Sequence, residues 1–302
     1  MDAYLRIIRF FFPLMAAACV MFSSCGGKDG RSTQGEVPSL TVSVPPLAYF
    51  AKALGGDSLE VNVLMADGTD PETFQPGVGA MRSLRRSGAF AVTGVLPFER
   101  ALTDGLGREK AVAIYNMSEG VGLMYGTHEH GHEACEDHHD EGRGEPDPHI
   151  WSSYRNARVI ARNMLDALTE LYPSRSRYYR NNYEALDWKL AALDSVAAIK
   201  LATAPAFLIW HPALSYFARD YGLRQVAVSS ENKENSSKGL KRVLEDAAAV
   251  SPRAFFVAPG TNSGAVQAVA DETGLSPVEV DFMSADWEAH MGKIVATLNA
   301  EP

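Results

Sequence analysis

"RYYRNNYEALDWKLAALDSVAAIKLAT", residues 177–203, crosses the middle of the chain without a single Gly or Pro. Tyr179, Tyr183, Leu186, Leu190, Leu193 and Ala197 recur at alternating steps of four and three, which puts them on one face of an α-helix. At 1.5 Å per residue that helix would be about 40 Å long, enough to run along the whole side of a two-lobed protein. Just before it, "SSYRNARVIARNMLDALTELYP" (152–173) reads as a second helix. It is opened by Ser152-Ser153, striped by Ile160, Met164, Leu168 and Leu171, and stopped at Pro173. What flanks this pair decides whether it is a packed surface element or a spine between two domains.

Both flanks carry the same alternation of short β-rich runs with helical segments. Before it come "LTVSV", "LEVNVLM", "AFAVTG" and "AVAIYN", separated by "LAYFAKALGG", "VGAMRSLRRSG" and "FERALTDGLG". After it come "AFLIW", "RQVAVSS", "AFFVAP" and "PVEVDF", separated by "ALSYFARDYG", "SKGLKRVLEDAAAV" and "SGAVQAVADETG" and closed by "DWEAHMGKIVATLN". Apolar strands alternating with helices imply parallel sheets covered on both faces. The expected fold is therefore α/β: an N-terminal lobe over residues 39–151, linking helices over 152–202 and a C-terminal lobe over 203–302.

The start of the chain reads as a targeting segment. Arg6 and Arg9 precede "FFFPLMAAACVMF", a run too short to span a bilayer as a mature helix. "FSSC" followed by Gly26-Gly27 resembles a bacterial lipoprotein signal, with residues 1–24 removed and Cys25 acylated; Cys19 is the competing site. Residues 25–38, "CGGKDGRSTQGEVP", form a polar tether in this reading. Of the three cysteines only Cys135 remains in the body, so no disulfide staples it. The net charge of −9 argues against a nucleic-acid partner and mildly favours a cationic ligand.

In open α/β sheets, ligands bind beyond the carboxyl ends of the strands, which here means the cleft between lobes. Four polar residues fall at such ends: Glu72 after "LEVNVLM", His149 after the first lobe's last strand and an insertion, His211 directly after "AFLIW", and Asp281 closing "PVEVD". Singly, each is the kind of residue that caps a strand or satisfies a core hydrogen bond. Together, two imidazoles and two carboxylates would close a four-coordinate site for a divalent transition metal.

"DPETFQP" (70–76), "DPHIWSS" (147–153), "HPALSYFARDYGL" (211–223) and "VEVDF" (278–282) resemble the ligand-bearing motifs of the zinc- and manganese-specific solute-binding proteins of ABC importers. The segment 172–194 resembles that family's linker helix, and the similarity covers nearly all of residues 39–299. The resemblance implies two α/β lobes bridged by a long backbone helix with the metal between them. It implies His149, His211 and Asp281 as ligands, with Glu72 standing where the family usually has histidine. It also implies an extracytoplasmic, lipid-anchored protein, expected as a monomer, that serves an importer's permease and ATPase and is not an enzyme.

The insertion bears on which metal. Six of the eight histidines lie in 126–151. His128, His130, His132, His138 and His139 sit with Cys135 among acidic residues in the stretch 126–145, a mixture that suits Zn²⁺ and disfavours Mn²⁺. An N2O2 set with Glu72 is harder than a three-histidine one and leans towards manganese or iron. Zinc is the expected cargo, with Mn²⁺ or Fe²⁺ the alternative. The five loop histidines are read as an accessory site, because no apolar residue anchors them. No HExxH or GxSxG motif points to a hydrolase, and no aromatic or basic lining points to a cobalamin or siderophore receptor. A periplasmic metal buffer or chaperone with no importer is the competing function.

Overall fold

A computed structural model describes residues 37–300 apart from 67, 70, 72, 110–111, 126–143 and 230–236. Strands β1 (Ser39–Val42), β2 (Glu60–Val63), β3 (Ala89–Val92) and β4 (Ala113–Asn116) form one sheet in the order β2-β1-β3-β4. Strands β5 (Ala206–Ile209), β6 (Arg224–Ala227), β7 (Phe255–Val257) and β8 (Pro277–Glu279) form a second in the order β6-β5-β7-β8. Every pairing in both sheets is parallel. The two halves thus repeat one topology, and in each the strand order reverses direction beside the first strand. That reversal opens a crevice at the carboxyl edge.

Helices α1 (Pro45–Gly55), α2 (Val78–Ser87) and α3 (Pro97–Glu109) belong to the first half. Helices α6 (Ser215–Tyr221), α7 (Ser237–Val250), α8 (Ser263–Thr273) and α9 (Trp287–Asn299) belong to the second. Between them lie α4 (Tyr154–Leu171) and α5 (Ser176–Lys200). Pro45 and Pro46 start α1 where their missing N–H groups cost nothing. Ser153 caps α4 by accepting from the backbone N–H of Arg155 and Asn156. Gly56 ends α1 at φ 54°, and a Cβ there would sit 2.3 Å from the Tyr178 hydroxyl, so only glycine lets α1 close against the first turn of α5.

The long Gly/Pro-free stretch is one helix of 25 residues. It buries Tyr179, Leu186, Leu190 and Ala197 and packs on α4, on α1 of the first half and on α9 of the second. One buried cluster runs from Leu40, Phe50 and Phe90 through Ile160 and Leu190 to Phe207, Phe217 and Trp287, so the lobes share a continuous core. The other face of the second sheet has its own core around Leu208, Phe255 and Val266. The apolar periodicity of α5 is read above as a single stripe. The helix in fact carries apolar residues on its solvent side too, with Trp188 76% and Ile199 77% exposed.

Candidate metal centre

His149 lies in the segment that leads from the first sheet into α4, and its surroundings hold it tightly. It is 2% exposed, and the following Ile150 and Trp151 are wholly buried. Asp147 grips it twice: Asp147 Oδ1 accepts from the His149 backbone N–H at 2.9 Å and lies 2.9 Å from its ring Nδ1. Burial pushes the Asp147 carboxyl up. The hydrogen bonds and charge of His149 outweigh that and hold it below its ordinary value, as an anion. A carboxylate only accepts, so Nδ1 carries a proton, and in the neutral ring Nε2 keeps its lone pair.

The opposite lobe supports the same segment. The hydroxyl of Tyr216, from α6, donates to the Asp147 carbonyl at 2.8 Å and accepts from the Met124 N–H at 3.3 Å. Burial raises its phenol to about 12, so it stays a donor. Arg219, also on α6, donates to the Gly122 carbonyl at 2.7 Å. Ser153, the cap of α4, is hydrogen-bonded to Asp220.

His211 stands two residues past β5, at the carboxyl edge of the second sheet. Its carbonyl accepts from Ala213 N–H at 2.7 Å, which turns the chain towards α6. The His149 and His211 rings meet edge to face with centroids 5.2 Å apart. Both residues make further interactions.

Asp281 lies two residues past β8. Its Oδ1 accepts from Met283 N–H at 2.9 Å, and its own N–H donates to His290 Nδ1 at 3.2 Å. It shares a small cavity with Trp151, Trp287 and His290. Among the described residues no three His, Cys, Asp or Glu side chains gather as a metal-holding group. The histidine pair is what the fold brings together. Glu72 and the loop residues His128, His130, His132, Cys135, His138 and His139 lie outside the described residues.

The ends of the insertion are placed, however. Tyr125 and Pro146 form an antiparallel bridge, and Asp147 N–H donates to the Met124 carbonyl at 2.8 Å. The insertion therefore leaves and re-enters the fold within a few residues of His149. Asp147, Tyr216 and His290 were not singled out from sequence. For Asp147 the signal was available, as an acid two residues before a histidine with proline between them.

A family model described as zinc-uptake complex component A, periplasmic, matches residues 40–300. The zinc-binding lipoprotein AdcA of Streptococcus pneumoniae is 30% identical over 240 residues, covering 77% of this chain and 47% of that protein. This chain thus spans about half the length of that streptococcal relative. The high-affinity zinc uptake system protein ZnuA of Bacillus subtilis is 23% identical over 270 residues, covering 86% of this chain and 84% of that one. A crystal structure of a ZnuA deletion mutant with zinc bound superposes with a TM-score of 0.75 at 26% identity, covering 88% of this chain and 100% of that one.

Proposed function

The chain belongs to the periplasmic zinc-uptake complex component A family, and on that premise we propose that it is an extracytoplasmic receptor that captures Zn²⁺ and delivers it to the permease and ATPase of an ABC importer. Zinc is cargo in this reading, and the protein carries out no catalysis. Cys25 carries a lipid that anchors the receptor, with residues 26–38 as the connection to the body; a streptococcal relative named as a lipoprotein supports this.

The observation that carries the proposal is the meeting of His149, from the segment before α4, and His211, from the segment after β5, at 5.2 Å between ring centroids. Zinc–nitrogen bonds are about 2.0–2.1 Å, so one ion between two such rings can be met by both. Asp147 supports the same reading, since a carboxylate on Nδ1 fixes the tautomer that offers Nε2 to a metal and raises its basicity. Glu72 and Asp281 complete the set in this proposal, giving two nitrogens and two oxygens.

The test is metal analysis of the protein as isolated, followed by competition between Zn²⁺ and Mn²⁺. Zinc should be retained and should displace manganese. His149→Ala and His211→Ala should each remove most of the affinity. If both variants kept wild-type zinc affinity in a chain lacking the insertion, the assigned site would be wrong.

A further inference from the structure

Eight large apolar side chains are well exposed among the described residues, and four of them lie on α5: Tyr178, Trp188, Val196 and Ile199. At 3.6 residues per turn, Trp188, Ala192, Val196 and Ile199 fall within an arc of about 80°. This side does nothing for the fold, because α5 buries its other side on α4 and α1. Isolated exposed apolar residues are ordinary, but a tryptophan and an isoleucine aligned on one helix face mark a contact surface.

The charges beside this face select its partner. Arg177, Arg180 and Lys200 are exposed towards the two ends of α5, with Glu184 as the exposed acid. The other acids of the helix are occupied: Asp187 by Arg158, and Asp194 by Arg155 and Tyr221. On a chain of net charge −9 this is a locally basic side. An indole flanked by cations is the arrangement of helices that lie in the headgroup layer. There the ring sits at the acyl boundary and the long cationic side chains reach phosphates.

The described part of the chain also begins near one end of that side. Ser39 is tied through both its N–H and its carbonyl to the Tyr172 hydroxyl, at 2.9 and 2.8 Å, and Tyr172 immediately precedes the turn into α5. From Cys25 to Ser39 the chain can span at most about 50 Å even fully extended. A lipid on Cys25 would therefore hold the body within that distance of the membrane, a reach that lets this side of α5 meet it.

We propose that the outward face of α5, centred on Trp188 and Ile199 and bounded by Arg177, Arg180 and Lys200, lies against the anionic phospholipid surface of the membrane that carries the anchor. This rests on the lipid-anchored reading given above, and the experiment separates the two. The chain from residue 25 onward, with Cys135→Ser, is coupled through Cys25 to a maleimide lipid in vesicles of phosphatidylethanolamine and phosphatidylglycerol. Brominated acyl chains should quench the emission of one of the four tryptophans, and Trp188→Gln should abolish that quenching with an unchanged melting temperature. The uncoupled chain should float with phosphatidylglycerol vesicles, and Arg177→Gln with Arg180→Gln and Lys200→Gln should reduce the floated fraction several-fold. Quenching that is absent, or that persists in Trp188→Gln, overturns the membrane face. So does a dimer in sedimentation velocity that Trp188→Gln dissolves, since the face would then belong to a second copy of the chain. Mass spectrometry of Cys25 in cell-derived protein reads the anchor independently: an unmodified thiol refutes the anchor, whatever the coupled chain does.

Discussion

The indole N–H of Trp151 donates to the carbonyl of Phe282 at 2.8 Å, joining the residue two after His149 to the residue one after Asp281. A second indole closes the clasp: Trp287 Nε1 donates to the Trp151 carbonyl at 2.8 Å. Trp287 also packs against Tyr49, Phe50 and Tyr154, from α1 and α4. The loops that carry the proposed ligands of the two lobes are thus fastened to each other directly.

Trp151→Phe keeps most of the ring packing but leaves the Phe282 carbonyl without its donor. Losing one partner of a fully buried hydrogen bond costs about 1–3 kcal/mol, and this partly buried one should cost towards the lower end. The variant should melt lower by a corresponding amount. Zinc affinity should also fall, because the two loops would no longer be held in register. Calorimetry with and without zinc reads both effects, and wild-type affinity in the variant would mean that the clasp does not position the site.

Asp147→Asn tests the support of His149. The amide can keep a contact to Nδ1, but it loses the negative charge that makes the imidazole a better donor. Outer-shell substitutions of this kind typically cost about 10–100-fold in metal affinity. That loss is expected here, with the metal-free melting temperature changed far less than the affinity. Titration against a chelator of known affinity measures it, and a zinc affinity equal to wild type would remove Asp147 from the site.

Much of this fold was legible because its signals are local. Ser152-Ser153 opening α4 and the run without Gly or Pro in α5 each act over a few residues, and both helices form there; α1 begins at Pro45, two residues before the stretch read as helical. The pairing of His149 with His211 was legible only in outline, since position at a strand's carboxyl edge says which crevice a residue faces but not which atoms meet there. Tyr216, on the Asp147 carbonyl, was invisible because its role depends on a contact 69 residues away in sequence. The exposed side of α5 was missed for another reason. Ala185, Trp188, Ala192 and Val196 lie between the core positions in sequence, and a search for one apolar face passes over a second.

Glu288 links three elements, accepting from Tyr49 of α1 and from Lys189 of α5, each at 2.6 Å. Burial alone would raise its carboxyl. The Lys189 ammonium and the Tyr49 hydroxyl outweigh that and hold it below the usual carboxylate range. A carboxyl depressed in the folded state stabilises the fold above its unfolded value of about 4.3 and loses that contribution as pH falls through the folded value. Stability should therefore decline below about pH 4.3 more steeply in wild type than in Glu288→Gln. Parallel acid-limb curves from urea unfolding would show that this link contributes nothing.

Glu72 reaches about as far as histidine from an equivalent backbone, and it brings a charge that imidazole lacks. If it meets the metal, Glu72→Ala should weaken zinc binding, whereas Glu72→His should retain it and shift preference further from manganese towards zinc. Competition titrations of the three proteins decide the matter. Unchanged affinity in Glu72→Ala would leave the site with three protein ligands.

The histidine-rich insertion should divide from the principal site. His149 is held by Asp147 and by the buried Ile150 and Trp151, whereas His128, His130, His132, His138 and His139 have no large apolar residue among them in sequence. A metal site on those five, with no large apolar residue among them in sequence to anchor it, should be weaker than the principal site. Deleting residues 127–143 spares the Tyr125–Pro146 bridge and the Glu145 pairing with Arg100. The shortened chain should bind less zinc in total yet keep one tight site with its affinity intact. Zinc counted by mass spectrometry after dialysis gives the stoichiometry, and chelator competition gives the affinity. Loss of the tight site with the insertion, or an unchanged zinc count, would show that the five histidines and His149 act as one site.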